Sequence, residues 1–299
     1  MEVLRNVAGL RSACDEARRH GARVGLIPTM GALHEGHLAL VDRAAAEGAS
    51  FRVVTIFVNP LQFGEGEDLD RYPRTLEADL IACRERGADA VFVPEPGAMY
   101  PPGFQSHVEV TSLTETLEGH FRPGHFRGVT TVVAKLFLLA GPCVAIFGRK
   151  DYQQLLTIQR MVEDLGFPVE VIGHPVVREA DGLALSSRNR YLGPDERRRA
   201  LGIARGLAAA DEAWRAGERD ADTLRRVARA PVAEAFDRID YVEVVHPESL
   251  APGEGLLERA TVLVAAHLGA TRLIDNLELG VDPPPVRAPA AGARAAPRP

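Results

Sequence analysis

The chain has 299 residues, 46% of them hydrophobic and 25% charged, a balance that supports a sizeable core and excludes wholesale disorder and a fibrous architecture. At roughly 150 residues per domain, this length corresponds to two domains or one large one. Basic residues number 35 against 41 acidic ones, for a formal net charge of -6; general binding of nucleic acid is thereby excluded, and any phosphate is held locally.

Chain order gives the architecture. The start, MEVLRNVAGLRSACDEARRHG, mixes charge with apolar residues and lacks the apolar stretch of a signal peptide. Arg23 to Pro28 reads as a buried strand, followed by a glycine-punctuated turn and a helical stretch from Leu38 to Ala46. Phe51 to Val58 is a β-branched strand, Thr75 to Arg86 a helix and Ala90 to Pro94 a short strand. Val129 to Ala140 is helical, Cys143 to Phe147 a strand, Tyr152 to Leu165 a helix and Val169 to Ile172 a strand. Strands alternating with helices of this length indicate crossovers and a mostly parallel sheet, an α/β domain over residues 1–176.

From residue 177 the pattern changes. Pro194 to Gly217 and Ala221 to Phe236 read as two exposed helices, followed by strands at Tyr241 to Val245, Thr261 to His267 and Thr271 to Leu277, so residues 177–280 are expected to form a second, smaller α+β domain. Residues 281–299 are mainly Pro, Ala, Gly and Arg and are expected to be a disordered tail. No apolar run reaches the length of a membrane span. The three cysteines, Cys14, Cys83 and Cys143, form no CxxC pair, which argues against a disulfide framework and a zinc site and fits a cytoplasmic protein.

Three clusters can carry chemistry. Met30-Gly31-Ala32-Leu33-His34-Glu35-Gly36-His37 stands where the first strand of the alternation gives way to a helix. There a helix N-terminus offers N–H groups and partial positive charge to a phosphate, and two imidazoles three residues apart share a face and donate to the same oxygens. Zinc lacks a third ligand at suitable spacing.

The second cluster, Gly148-Arg149-Lys150-Asp151, also opens a helix at a strand end. All but Lys135 and Lys150 of the basic residues are arginine, so Lys150 marks a place that suits a compact ammonium, here against phosphate charge. Asp151 either caps the helix or accepts from a ribose hydroxyl. Lys135, inside VVAKLFLL, reads as a lysine snorkelling from a helix edge.

The third cluster, Leu185-Ser186-Ser187-Arg188 within VREADGLALSSRN, offers two hydroxyls and a guanidinium at the domain junction. A serine nucleophile would call for a G-x-S-x-G elbow, which the chain lacks. Asn59, Gln62, Gln153 and Gln154 supply neutral amides suited to a substrate's hydroxyls and carboxylate, and Arg122, His125 and Arg127 form a local basic patch.

PTMGALHEGH, FVNPLQFG, YPRTLEADL, GHFRGVTTVVAKLF, FG-x-KDYQQL and VREADGLALSSRNRYL, in this order and spacing from about Val24 to Asn276, resemble the pantothenate synthetase (pantoate–β-alanine ligase) family. HEGH is similar to the HxGH signature of the nucleotidyltransferases related to class I aminoacyl-tRNA synthetases, and LSSRN stands in the place of their flexible second signature. The resemblance implies a Rossmann-like, doubly wound domain, a smaller C-terminal lid, a homodimer, ATP as substrate and Mg²⁺. It places Met30 to His37, Gly148 to Asp151, Val177 and Leu185 to Arg188 at ATP. His37 is then the general acid, His34, Lys150 and Arg188 act with it on the phosphates, and Gln62 and Gln154 bind pantoate, with Asn59 beside them; the metal ligands stay open.

Two residues depart from the family pattern: Arg149 stands where Glu is usual and Leu185 where Met is usual. Leu for Met keeps volume, whereas Arg149 reverses a charge beside the triphosphate. The implied reaction is ATP-dependent condensation of pantoate and β-alanine through a pantoyl adenylate. A nucleotidyltransferase acting on a phosphorylated acceptor would call for more cations than Asn59, Gln62 and Gln154 provide, and a non-catalytic nucleotide sensor is the remaining alternative.

Overall fold

The computed structural model describes residues 1–286 and divides into two compact units. The first unit comprises Met1–Val177 and Leu185–Ser187, and the second comprises Arg178–Ala184 and the described residues from Arg188 to Val286.

The first unit runs β1 (Glu2–Leu4), α1 (Val7–Arg19), β2 (Val24–Thr29), α2 (Glu35–Ala46), β3 (Phe51–Ile56), a 3-10 turn (Pro60–Gln62), α3 (Leu76–Glu85), β4 (Ala90–Phe92), the short α4 (Pro96–Met99) and α5 (Glu118–Phe121), α6 (His125–Ala140), β5 (Cys143–Gly148), α7 (Tyr152–Leu165) and β6 (Val169–His174). Its six strands pair in parallel in the order β1-β4-β3-β2-β5-β6, as the alternation predicts. β1, only three residues long, shows no pattern that sequence reading detects, and α1 follows it with Asn6 capping Gly9 N–H at 2.8 Å.

Both faces of this sheet are covered, which is why its strands read as continuous apolar runs. Leu26, Val53, Phe92 and Ala145 pack with Leu10, Phe137 and Ile158 from α1, α6 and α7. Ile27, Val54, Val91 and Ile146 pack with Leu40, Val41 and Cys83 from α2 and α3. The strand order reverses at β2, which has β3 on one side and β5 on the other. Ligands of open parallel sheets bind at the carboxyl ends of strands at such a reversal, and the turns leaving β2 and β5 carry the first two sequence clusters. No helix among the described residues is long and apolar enough to cross a membrane.

The second unit holds α8 (Pro194–Arg199), α9 (Leu201–Arg215), α10 (Ala221–Ala235) and an antiparallel sheet β7-β8-β9 (Arg238–Val245, Thr261–Leu268, Thr271–Glu278). Two expectations are corrected here. The stretch read as one helix from Pro194 to Gly217 is broken at Ala200, and the helices are not simply exposed. Ile203, Leu207, Leu224 and Val232 are fully buried against Val242, Val244, Val262 and Val264. Alanine and glycine at the α9–α10 contact disguise this apolar stripe, because close backbone approach replaces large side chains. A Cβ on Gly206 would lie 2.3 Å from the Ala228 carbonyl oxygen.

A short hairpin, Arg178 to Ala184, is fastened to β9 by the two-pronged Arg178–Asp275 pair at 2.6 and 3.0 Å. Beyond β9, Val281 and Asp282 donate to the Glu278 carbonyl at 3.2 and 3.0 Å. Of the tail read as disordered, residues 287–299 lie outside the described residues.

Gly206→Ala is expected to lower stability by about 1–3 kcal/mol through overpacking, while Gly97→Ala, whose Cβ meets nothing within 4 Å, leaves it near the starting value. Equal denaturant midpoints for the two variants would contradict the close α9–α10 contact.

Candidate active site

The turn after β2 is built around a buried carboxylate. Gly31 and Ala32 take left-handed backbone angles, φ 82° and 51°, the second uncommon for a residue with a Cβ. Their conformation turns consecutive N–H groups, Ala32 and Leu33, onto the two oxygens of Asp79 at 2.9 and 2.8 Å, and Thr75 adds its hydroxyl at 3.1 Å. Thr29 fixes the entry by accepting from Gly31 N–H at 3.1 Å and donating to the Thr55 carbonyl at 2.7 Å. Gly31 is required twice, by its φ and because a Cβ would sit 3.1 Å from Asp79 Oδ2. Asp79 itself was not singled out in the sequence, where it is one acid among several in a helix.

This turn delivers His34 as the N-cap of α2, its Nδ1 accepting from Gly36 N–H at 3.2 Å. An accepting Nδ1 puts the ring proton of the neutral imidazole on Nε2. Gly36 is the residue that this stacking demands, since a Cβ there would meet His34 Cε1 at 2.9 Å. His37, one turn on, stacks against His34 with ring centroids 4.0 Å apart, and its Nδ1 is buried without a partner. Burial, then the neighbouring charges of His34 and Lys150, push His37 down to about 3, so the resting protein holds it neutral. Glu35 turns outward to pair with Arg86.

The turn after β5 brings Lys150 within electrostatic reach of His37. Asp151 is the N-cap of α7 in position but makes no side-chain cap bond, so capping does not explain it. Arg149 lies with its stem 3.0 Å from where a Cβ of Gly173 would be and its guanidinium 5.6 Å over the Tyr152 ring. Leu185 approaches the α2 turn, 3.6 Å from where a Gly36 Cβ would be, and its N–H donates to the Val177 carbonyl at 2.9 Å. Ser187 is buried, 3.1 Å from the Tyr72 hydroxyl.

Gln62 donates from Nε2 to Met30 Sδ at 3.2 Å. Gln154 is half-buried on the first turn of α7. The first unit thus gathers Met30, His34, His37, Gln62, Lys150 and Leu185, whereas Arg188 belongs to the second unit.

Several sequence readings change. Gln153 is taken up by the fold, donating to the carbonyls of Leu113 and Thr116 at 2.7 and 2.9 Å and accepting from Glu118 N–H at 3.0 Å. The expected basic patch is internally balanced: Arg122 makes a two-pronged pair with Glu67 at 2.8 and 2.7 Å. His125 donates to the Gln62 carbonyl at 2.9 Å and is held near 4, chiefly by burial and then by Arg122. Lys135, only half-buried, also finds partners that the snorkelling reading did not include: its ammonium donates to the Met99 carbonyl and lies 5.1 Å over Phe104 and 5.7 Å over Tyr100.

A helix N-terminus bearing paired imidazoles, beside a lysine from the adjacent strand turn at the reversal of a parallel sheet, defines an α/β protein of the nucleotide-handling class. The Pantoate-beta-alanine ligase family model matches residues 2–278. A pantothenate synthetase of Anaeromyxobacter dehalogenans is 54% identical over 281 residues, 92% of this chain and 97% of that protein. The solved pantothenate synthetase of Thermus thermophilus superposes with a TM-score of 0.88 at 50% identity, over 93% of this chain and 99% of the other. A Francisella tularensis pantoate-beta-alanine ligase, solved in complex with beta-gamma ATP and beta-alanine, gives a TM-score of 0.75 at 30% identity, over 93% of this chain and 97% of the other. The chain belongs to the pantoate-beta-alanine ligase family.

Asp79→Asn places an amide NH₂ against one of two backbone N–H groups. It is expected to cost about 1–3 kcal/mol of stability and to weaken ATP binding, read by denaturant unfolding and by the KM for ATP. Unchanged values of both would show that Asp79 does not hold the turn.

Proposed function

We propose that this chain condenses pantoate with β-alanine at the expense of ATP, with His34, His37 and Lys150 on the phosphates and Gln62 and Gln154 on pantoate. The observation that carries this reading is the meeting of the stacked imidazoles and Lys150 at the N-terminus of α2.

In the first half-reaction a pantoate carboxylate oxygen attacks the α-phosphorus of ATP, the bond from that phosphorus to the bridging oxygen breaks, and pyrophosphate leaves. In the second, the amine of β-alanine attacks the acyl carbon, the carbon–oxygen bond to AMP breaks, and pantothenate and AMP result, the amine proton passing to solvent. No enzyme nucleophile takes part. Such transfers depend on positioning and on neutralising spread-out charge.

The residues suit these demands. His34, whose Nδ1 accepts from Gly36 N–H, turns Nε2 toward an incoming phosphate oxygen. Polyphosphate charge beside His37 raises its titration from the low resting value, allowing it to protonate the departing pyrophosphate as general acid. Lys150 adds a compact positive charge. Met30 to His37, Gly148 to Asp151, Val177 and Leu185 to Ser187 form the nucleotide side of the site, all within the first unit. The neutral amides of Gln62 and Gln154 favour a hydroxy acid over a phosphorylated acceptor.

Mg²⁺ fits as a companion of the triphosphate: no group of three His, Cys, Asp or Glu side chains gathers for a metal among the described residues, and this ion commonly binds through one or two carboxylates and substrate phosphates. Asp151, exposed and without a cap bond beside Lys150, is the carboxylate placed to share it. When bound, Mg²⁺ neutralises phosphate charge. A homodimer in the cytoplasm is the assembly and location that family membership supports.

Lys150→Ala is expected to lower pyrophosphate release in the presence of ATP and pantoate by roughly a hundredfold or more while leaving thermal unfolding unchanged. In the unaltered protein AMP follows only on adding β-alanine. Near-normal pyrophosphate release by the variant would overturn the role given to Lys150.

A further inference from the structure

Asn59 is read from sequence as a substrate amide, yet every hydrogen-bonding position on its side chain is occupied within the protein. Its Nδ2 donates to Gly128 O at 3.1 Å and to Gln62 Oε1 at 3.0 Å. Its Oδ1 accepts from Tyr100 Oη at 2.7 Å and from Leu61 N–H at 3.3 Å. Two donors and two acceptor sites exhaust a carboxamide, and Asn59 is only 1% exposed. Nothing remains to offer a substrate.

Three partners together set the orientation of this amide, and on its oxygen the short bond from Tyr100 at 2.7 Å outweighs the long one from Leu61 at 3.3 Å. A carbonyl oxygen such as that of Gly128 only accepts, so nitrogen must face it; a backbone N–H such as that of Leu61 only donates, so oxygen must face that. Tyr100 is fixed as the donor to the same oxygen, because burial holds its hydroxyl protonated well above the ordinary tyrosine range. With Asn59 Nδ2 committed, Gln62 must present Oε1 to Asn59 and turn Nε2 away. Among the described residues that Nε2 meets the Met30 thioether alone, a weak acceptor, so its N–H bonds are poorly satisfied.

The supports of this relay are rigid. The Tyr100 ring packs against Phe57 and Phe104, with centroids 6.0 and 5.0 Å away, and the Lys135 ammonium stands 5.7 Å above it. Gly128 lets the Pro60–Gln62 turn lie directly on α6, since a Cβ there would fall 2.1 Å from the Leu61 carbonyl oxygen.

We propose that Tyr100 and Asn59 are positioning residues which lock the Gln62 carboxamide with its NH₂ toward the substrate, making Gln62 a dedicated hydrogen-bond donor that selects an acceptor oxygen on pantoate. The proposal rests on the assignment of Gln62 to pantoate. An unlocked amide would present oxygen and nitrogen by turns, and its oxygen would repel a carboxylate.

A double-mutant cycle tests it with Tyr100→Phe, which removes one hydroxyl, and Gln62→Ala, which removes the whole carboxamide, measured by steady-state kinetics with thermal unfolding alongside to separate loss of fold from loss of binding. Tyr100→Phe is expected to raise the KM for pantoate roughly five- to tenfold, the loss of one buried hydrogen bond, with the KM for ATP within about twofold. Because Tyr100 acts only through Gln62, the same change made on Gln62→Ala should add nothing. Multiplying losses in the double variant, an unchanged pantoate KM in Tyr100→Phe, or an equal rise in the KM for ATP would each overturn the relay. A Gln62→Ala variant with normal pantoate KM would instead remove the assignment beneath it, a result visible in that single variant before the cycle is completed.

Discussion

A carboxylate at the heart of the first unit governs the site. Asp79 is 3% exposed, and a charge so placed is tolerable only when its oxygens are filled by good donors. The donors are two consecutive backbone N–H groups and a threonine hydroxyl, and bringing those N–H groups together requires the left-handed pair Gly31 and Ala32. The backbone strain at Ala32 is therefore offset by charge-assisted hydrogen bonds. The product is a turn of fixed shape that sets His34 at the first position of α2, with Gly36 and His37 following from the helix geometry.

The electrostatic character of the site follows from that shape. Stacked rings and burial disfavour an imidazolium, so the ligand-free protein keeps His37 neutral near a lysine and a helix N-terminus. Positive charge is supplied mainly by fixed or permanently charged groups, whose orientation needs no reorganisation when phosphate arrives. His37 is the adjustable element, since an anion bound beside it favours the protonated state. Near Gln62 the same economy of charge holds: Arg122 is neutralised by Glu67, and Asn59 donates to the Gln62 amide oxygen.

Much of the parallel sheet was legible because strands buried on both faces consist of unbroken β-branched and apolar runs, as Phe51 to Ile56 and Cys143 to Gly148 do. The HxGH and KDYQQ clusters were legible for another reason: each lies within one strand-to-helix turn, so its spacing in sequence is its spacing in space. What escaped depends on partners far apart in the chain. Asp79 meets Ala32 across 47 residues, Tyr100 meets Asn59 across 41 and Gln153 meets Leu113 across 40, and no local pattern announces such pairs. The Met99 carbonyl that Lys135 reaches lies 36 residues away and is invisible from its apolar helical run, and α9 and α10 were misread because alanine conceals burial that close packing makes possible.

The claim on which this account turns is that the buried His37 imidazole rests neutral and responds to phosphate. The most direct measurement is the titration of the His34 and His37 ring nitrogens by ¹⁵N NMR, with and without a non-hydrolysable ATP analogue. The account predicts that His37 stays neutral from pH 8 down to well below its ordinary value of 6.5 in the free protein, and that the bound analogue moves its titration upward. A His37 that titrates near 6.5 in the free protein and ignores the analogue would contradict it.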